Sequence, residues 1–155
     1  MTSTAKHRVR DSIEAWLVAP PDRREVLLLR VKAASGRHPG FWQPVTGGVQ
    51  PGETAGQARL REIEEETGLV LSAPALSLVI TGFDVPISPA LTVRKQVFVA
   101  RAPGRSVRVA PDEHVDHRWV GVDAVERMLY WESNRTTWSR VRPRLETCGQ
   151  PGDRP

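Results

Sequence analysis

Residues Thr54 to Gly68 read as one helix with both ends written into the sequence. Thr54 followed three positions later by Gln57 has the form of a capping box, in which side chains satisfy orphan N–H groups of the first turn. Gly68 supplies the left-handed residue that commonly stops a helix. Between them Glu62, Glu64, Glu65 and Glu66 crowd into five residues. At about 100° per residue, Glu62, Glu65 and Glu66 project from one side, which Ala55 and Ala58 share, whereas Leu60, Ile63 and Thr67 fall roughly opposite. Such a helix is expected to lay its apolar back on a sheet and to turn a carboxylate front toward space left open by the two alanines.

The flanking sequence supplies the sheet. Ile13–Val18 and Val26–Val31 are short apolar runs separated by Pro20-Pro21-Asp22, a strand–turn–strand composition. Ala33–Gly40 reads as a loop, Trp42–Val49 as an extended stretch broken at Gly47-Gly48, and Pro51-Gly52 as a turn. Leu76–Thr81 and Leu91–Ala100 read as strands, with a loop at Asp84–Pro89 because of its two prolines, and Trp119-Val120 ends a further strand. Asp123 and Ser133 are positioned to cap helices running to Leu129 and toward Arg142. One mixed α/β domain accounts for this order, and its limits are set at residues 11–146, between a flexible basic tail at 1–10 and a frayed tail at 147–155.

Composition excludes several classes. At 155 residues with 39% hydrophobic and 26% charged side chains, the chain can bury one core without staples. Its single cysteine, Cys148, can form neither an internal disulfide nor a cysteine cage for zinc or iron–sulfur, which fits a reducing compartment, the cytoplasm. The apolar runs are far shorter than the ~20 residues that span a bilayer, so no membrane partner is expected. Arg101, Arg105 and Arg108 form a basic stretch, read as a hairpin, but carry no interleaved aromatics, so no nucleic-acid platform is indicated. No Ser-His-Asp triad, Walker loop or dinucleotide fingerprint is present. His38, beside Pro39 in a loop, is read as solvated.

The net charge of +4 hides an acidic island in a basic chain. Three carboxylates on one helix side repel one another, and Arg61, one turn before Glu65, cannot balance them all. Either the face is simply solvated or a cation completes it. A hard divalent ion fits the second reading, because Mg²⁺ and Mn²⁺ prefer oxygen ligands and share them with substrate phosphates.

The run GGVQPGETAGQARLREIEEETGL resembles the signature of the Nudix hydrolases without a mismatch. Gly47, Glu53, Arg61-Glu62, Ile63, Glu65-Glu66, Gly68 and Leu69 fill its constrained positions in order. The resemblance implies an α/β/α sandwich with a mixed β-sheet, and a loop–helix–loop that holds Mg²⁺ or Mn²⁺ over a pyrophosphate. It implies Glu62, Glu65 and Glu66 as metal ligands, joined by a backbone carbonyl near Thr46 or Gly47, with Glu53 and Arg61 bracing the loop and helix. Glu113, in the segment EHVDHRW, resembles a residue that supplies a further ligand or the general base. The candidate catalytic set is therefore Glu62, Glu65, Glu113 and the bracing Arg61, with Glu65 the first choice as base and Glu113 the second.

Two further segments, FWQPVTGG at Phe41–Gly48 and WESNR at Trp131–Arg135, are similar to bacterial dihydroneopterin triphosphate pyrophosphatases. The implied activity is hydrolysis of a diphosphate linkage in a nucleoside triphosphate or pterin triphosphate, with dinucleoside polyphosphates or ADP-ribose-type compounds, or non-catalytic nucleotide sensing, as alternatives. Trp42 either stacks on a substrate ring or belongs to the core. Gln43 offers an amide to a ring edge, and Arg30 and Arg135 are candidates for terminal phosphates. The expected partner is a small phosphorylated substrate, and a homodimer is compatible with this reading.

Overall fold

The computed structural model describes residues 6–21 and 24–147. Its spine is β1 (Arg8–Val18), which pairs in parallel with β6 (Leu91–Arg101) from Arg8↔Leu91 to Val18↔Arg101. β1 also pairs antiparallel with β4 (Val45–Gly48) at Ser12–Ala15 and meets β2 (Glu25–Val31) at Val18↔Val26. β2 in turn pairs antiparallel with β3 (Phe41–Gln43) and with β7 (His114–Gly121), and β5 (Leu76–Ser88) pairs antiparallel with β6. Parallel and antiparallel ladders together make one mixed seven-stranded sheet.

Helices cover both faces, because the strands are apolar on both. In β1 and β2, Ile13, Ala15, Leu17, Leu27 and Leu29 enter one buried cluster with Ala58 and Ile63 of α1 (Ala55–Thr67). The alternate residues Trp16, Val18, Val26 and Leu28 enter a second cluster with Val125 of α2 (Val125–Met128) and with Trp138, Val141 and Leu145 of α3 (Glu132–Thr147). Period-two alternation thus feeds two cores, giving the α/β/α sandwich. Among the described residues, no helix is long and apolar enough to cross a membrane.

Helix α1 has the bounds its sequence signals predict. Thr54 Oγ1 accepts from Gln57 N, the Gln57 side chain accepts from Thr54 N, and Gly68 ends the helix at φ +75° while donating to Glu64 O. Its packed side, however, differs from the expectation. Ala58 is fully buried and Ala55 packs on the same core, so these residues do not leave open space but let the helix approach β4 closely.

Other expectations are corrected by strand pairing and packing. Arg8–Arg10, assigned to a flexible tail, are the first residues of β1, held by Leu91–Val93 of β6; residues 1–5 lie outside the described residues, as do 148–155 of the assigned C-terminal tail, whose first residue, Thr147, ends α3. Asp84–Pro89 is not a loop except at its last residue: β5 runs through Asp84–Ser88, pairing Asp84↔Arg94, Val85↔Val93 and Pro86↔Thr92 with register shifts, and only Pro89 lies in the turn. β5 is an edge strand, where a proline costs no interior ladder bond. The helix proposed to run toward Arg142 extends to Thr147 through Pro143, carried by the buried Val141 and Leu145 on either side. The basic stretch is no hairpin, since Ala102–Asp112 contains no strand.

Candidate active site

The carboxylate face of α1 is built against β4. A Cβ placed on Gly47 would lie 2.0 Å from Glu62 Cδ and 2.3 Å from its Oε1, so the Glu62 carboxylate rests directly on bare backbone. The Gly47 carbonyl accepts from Ser12 Oγ at 2.7 Å, which ties β4 to β1 beneath the carboxylate. Replacing Gly47 by Ala should therefore displace the Glu62 carboxylate rather than unfold the chain, because the clash falls on a side-chain end. Activity falling by about 100-fold or more, with a stability loss within the ~1–3 kcal/mol of an overpacked site, is the expected outcome in parallel turnover and melting measurements.

Arg61 ties the face together. Its Nε and Nη2 donate to Glu53 Oε2 and Oε1 at 2.8 and 2.9 Å, a bidentate pair, while Nη1 donates to Glu62 Oε1 at 2.7 Å and to Glu65 Oε2 at 3.2 Å. Nη2 also donates to Gly48 O at 3.0 Å, so one guanidinium spans helix, turn and strand. The Arg61 hydrogen bond holds the Glu53 carboxyl well down, at about 2.

Glu66 is the site's most unusual group. It is 3% exposed, accepts from the Thr46 backbone N–H, and its Oε2 has no hydrogen-bond partner. Burial first, then the charges of Glu62 and Glu113, push its carboxyl up to about 9. Glu62 is raised too, chiefly by burial, with Arg61 opposing. Oxygen or nitrogen atoms of Glu66, Glu113 and His114 lie within 4.8 Å of one another. His114 is buried with an unpartnered Nδ1, and burial lowers its pKa toward the neutral, ligating form.

These residues fit a divalent cation. An orphaned buried carboxylate oxygen, a glycine that seats a second carboxylate, and a mainly oxygen donor set are what a hard ion requires. Glu62, Glu65, Glu66, Glu113, His114 and the Gly47 carbonyl could hold it. A cleft of about 380 Å³ opens over this cluster and is lined by Val31, Lys32, His38, Gln43, Thr46 and Glu66 with Asp112–His114. A larger cavity of about 600 Å³, between β5, β6 and α3, is lined by no carboxylate among the described residues.

The other sequence candidates fall elsewhere. Gln43 lines the cleft and donates to Thr46 Oγ1 at 3.3 Å. Trp42 is 8% exposed in the second core, with the Arg30 and Arg118 guanidiniums 5.6 and 5.1 Å from its ring centroid, so its ring is not presented to a ligand. Arg30 is drawn to that ring, and Arg135 bonds Glu132 and the Leu129 and Tyr130 carbonyls. His38 is not simply solvated: it lines the cleft and meets Phe41 edge-on at 4.9 Å. Sequence reasoning passed over His114 and Lys32. His114 stood next to Glu113 in the segment already singled out, and its position at the start of β7 was the signal.

The NUDIX domain family model matches residues 10–140. Dihydroneopterin triphosphate diphosphatase of Escherichia coli strain K12 is 29% identical over 124 residues, covering 74% of this chain and 80% of that protein. The asymmetrical bis(5'-nucleosyl)-tetraphosphatase of Rattus norvegicus is 27% identical over 125 residues, covering 78% and 82%. The crystal structure of a MutT NUDIX hydrolase from Burkholderia pseudomallei superposes with a TM-score of 0.71 at 26% identity, covering 87% of this chain and 99% of that one. With the family match spanning the sheet, α1 and the carboxylate cleft together, the chain belongs to the NUDIX family and is a hydrolase of the Nudix pyrophosphohydrolase kind.

Proposed function

We propose that the chain is a Mg²⁺- or Mn²⁺-dependent pyrophosphohydrolase that cleaves a diphosphate linkage in a nucleoside triphosphate or dihydroneopterin triphosphate, releasing a monophosphate and pyrophosphate. The observation that carries this reading is the buried, unpartnered Glu66 oxygen converging with Glu113 and His114 beside the Glu62 carboxylate. A bound divalent ion supplies charge neutralisation for phosphate oxygens and makes water more acidic. Glu65 is exposed and tied to Arg61 by one bond of 3.2 Å, which leaves it free to take up the proton of the attacking water; Glu113, also exposed, is the second choice. Lys32 on the cleft wall adds a positive charge for the phosphate chain. The compartment proposed from the lone cysteine is the cytoplasm.

A second reading, hydrolysis of bridged dinucleoside polyphosphates, is favoured by the similarity to the rat tetraphosphatase. A panel of nucleoside triphosphates, dihydroneopterin triphosphate and dinucleoside tetraphosphates, with Mg²⁺, Mn²⁺ or chelator and with products identified, separates them. The expected result is pyrophosphate from a triphosphate only when metal is present, with the melting temperature rising as metal is added. A nucleoside monophosphate plus a triphosphate from the bridged compounds alone would select the second reading. No metal-dependent release from any compound would overturn both.

A further inference from the structure

Through His38 the carboxylate cleft adjoins a group of aromatic rings. His38 lines the cleft and meets Phe41 edge-on. Phe41 is buried, stacks on Tyr130 at 5.4 Å with a 20° interplanar angle, and meets Trp131 edge-on at 5.4 Å and 79°. Tyr130 and Trp131 stand at 83° to one another with centroids 4.8 Å apart, and they are 44% and 42% exposed. Two large rings thus form an open right-angled corner, while Trp16, Trp42, Phe98 and Trp138 are all buried.

The corner is held in place. Arg135 donates to the Leu129 and Tyr130 carbonyls at 2.7 and 3.3 Å, and the Trp131 carbonyl accepts from the Asn134 and Arg135 N–H groups at the start of α3. Leu129 bridges to Trp42 of β3. On the same strand Phe41 backs the corner and Gln43 lines the cleft, two residues and so roughly 7 Å apart. The corner and the cleft thus meet alternate residues of one short strand.

We infer that Tyr130 and Trp131, backed by Phe41, are the ring-binding stage of this active site, taking the planar heteroaromatic part of a substrate whose phosphates lie among Glu62, Glu66 and Glu113. This rests on the diphosphate reading above. A flat ring laid on one face of the corner turns its edge to the other, satisfying both geometries that aromatic pairs prefer. Stacking reads a π-face rather than a hydrogen-bond pattern, so the stage selects ring-bearing over ring-free phosphates and distinguishes weakly among rings. Preorganisation by Arg135, a positioning residue, lowers the ordering cost of binding.

The test uses guanosine 5'-monophosphate, which carries a ring and no diphosphate linkage, and ribose 5-phosphate, its ring-free counterpart, titrated with Mg²⁺ against the full chain. The wild type should bind the nucleotide at least tenfold more tightly. Trp131→Ala and Tyr130→Leu should each erase most of that preference while leaving ribose 5-phosphate within twofold, and Trp131→Phe should restore it. Tyr130→Leu keeps apolar bulk, so a purely packing role would leave its preference intact. Equal affinity of the wild type for the two probes, equal weakening of both in the variants, or no weakening of either overturns the stage. If the preference behaves as expected yet the wild type hydrolyses no diphosphate, the stage stands and the diphosphate reading falls.

Discussion

Glu66→Gln should make the metal-free protein more stable at neutral pH and nearly inactive. The group sits in a buried position with Glu62 and Glu113 close by, so its carboxyl stands at about 9 against an ordinary 4.5. A raised folded-state value means that stability present below about pH 4.5 is lost as pH climbs toward 9. At 1.36 kcal/mol per unit, the cost at pH 7 is on the order of 1–3 kcal/mol, and a neutral amide avoids it. Denaturant titrations in chelator at pH 5, 7 and 9 should show the variant's advantage growing with pH. Saturating Mg²⁺ should erase the advantage, because a cation favours the charged carboxylate that only the wild type possesses. Loss of a direct ligand should exceed the ~10–100-fold effect of removing outer-shell partners, so turnover should fall by about 100-fold or more. A variant that is destabilised in chelator, or that keeps its turnover, would remove Glu66 from the proposed ligand set.

The largest effect on stability is expected at Glu14, on the opposite face of β1. This fully buried carboxylate accepts from Trp16 Nε1 at 2.9 Å, Lys95 Nζ at 2.8 Å, Asn134 Nδ2 at 3.1 Å and the Thr137 hydroxyl. It therefore joins β1, β6 and the first turns of α3. Glu14→Ala strands a mostly buried ammonium and the Trp16 and Asn134 donors, and breaking a buried pair in this way costs about 3–5 kcal/mol. Against a total of about 5–15 kcal/mol, that is a large share, and the melting temperature should drop by roughly 6–20 °C. Glu14→Leu combined with Lys95→Met should recover most of the loss, since apolar replacement of both partners removes the stranded charge. Additive losses in the double variant would mean that the network is not coupled.

Which features could be read without coordinates follows from how local their causes are. The bounds of α1 rest on Thr54, Gln57 and Gly68, all neighbours in sequence, and the structure has the same bounds. The Nudix signature has fixed gaps, and the seating of Glu62 on Gly47 and of Glu66 on the Thr46 N–H agrees with it. The Pro86 segment misled because two prolines argue for a loop, whereas hairpin pairing with Thr92 of β6, on an edge strand that tolerates proline, makes it a strand. Ala58 was placed toward open space because helical periodicity gives faces but not which face meets β4. His114, the Glu14 network and the Tyr130–Trp131 corner depend on contacts between distant segments: Glu14 and Thr137 are 123 positions apart. For Trp42 the sequence favours the core over a ligand, and its burial places it there.

The parallel register between β1 and β6 also governs when the molecule can form. Arg8 finds Leu91 and Val18 finds Arg101, so the central ladder closes a loop of about 80 residues before it gains a single pair. During synthesis the first strand must wait, unpaired on that edge, until Leu91–Arg101 has left the ribosome. Helix α1 can wind early on its own caps, but the sheet that seats it arrives late. Refolding is accordingly expected to be slower than for a helical protein of the same length, and the apolar β1 segment is the stretch most in need of shielding meanwhile.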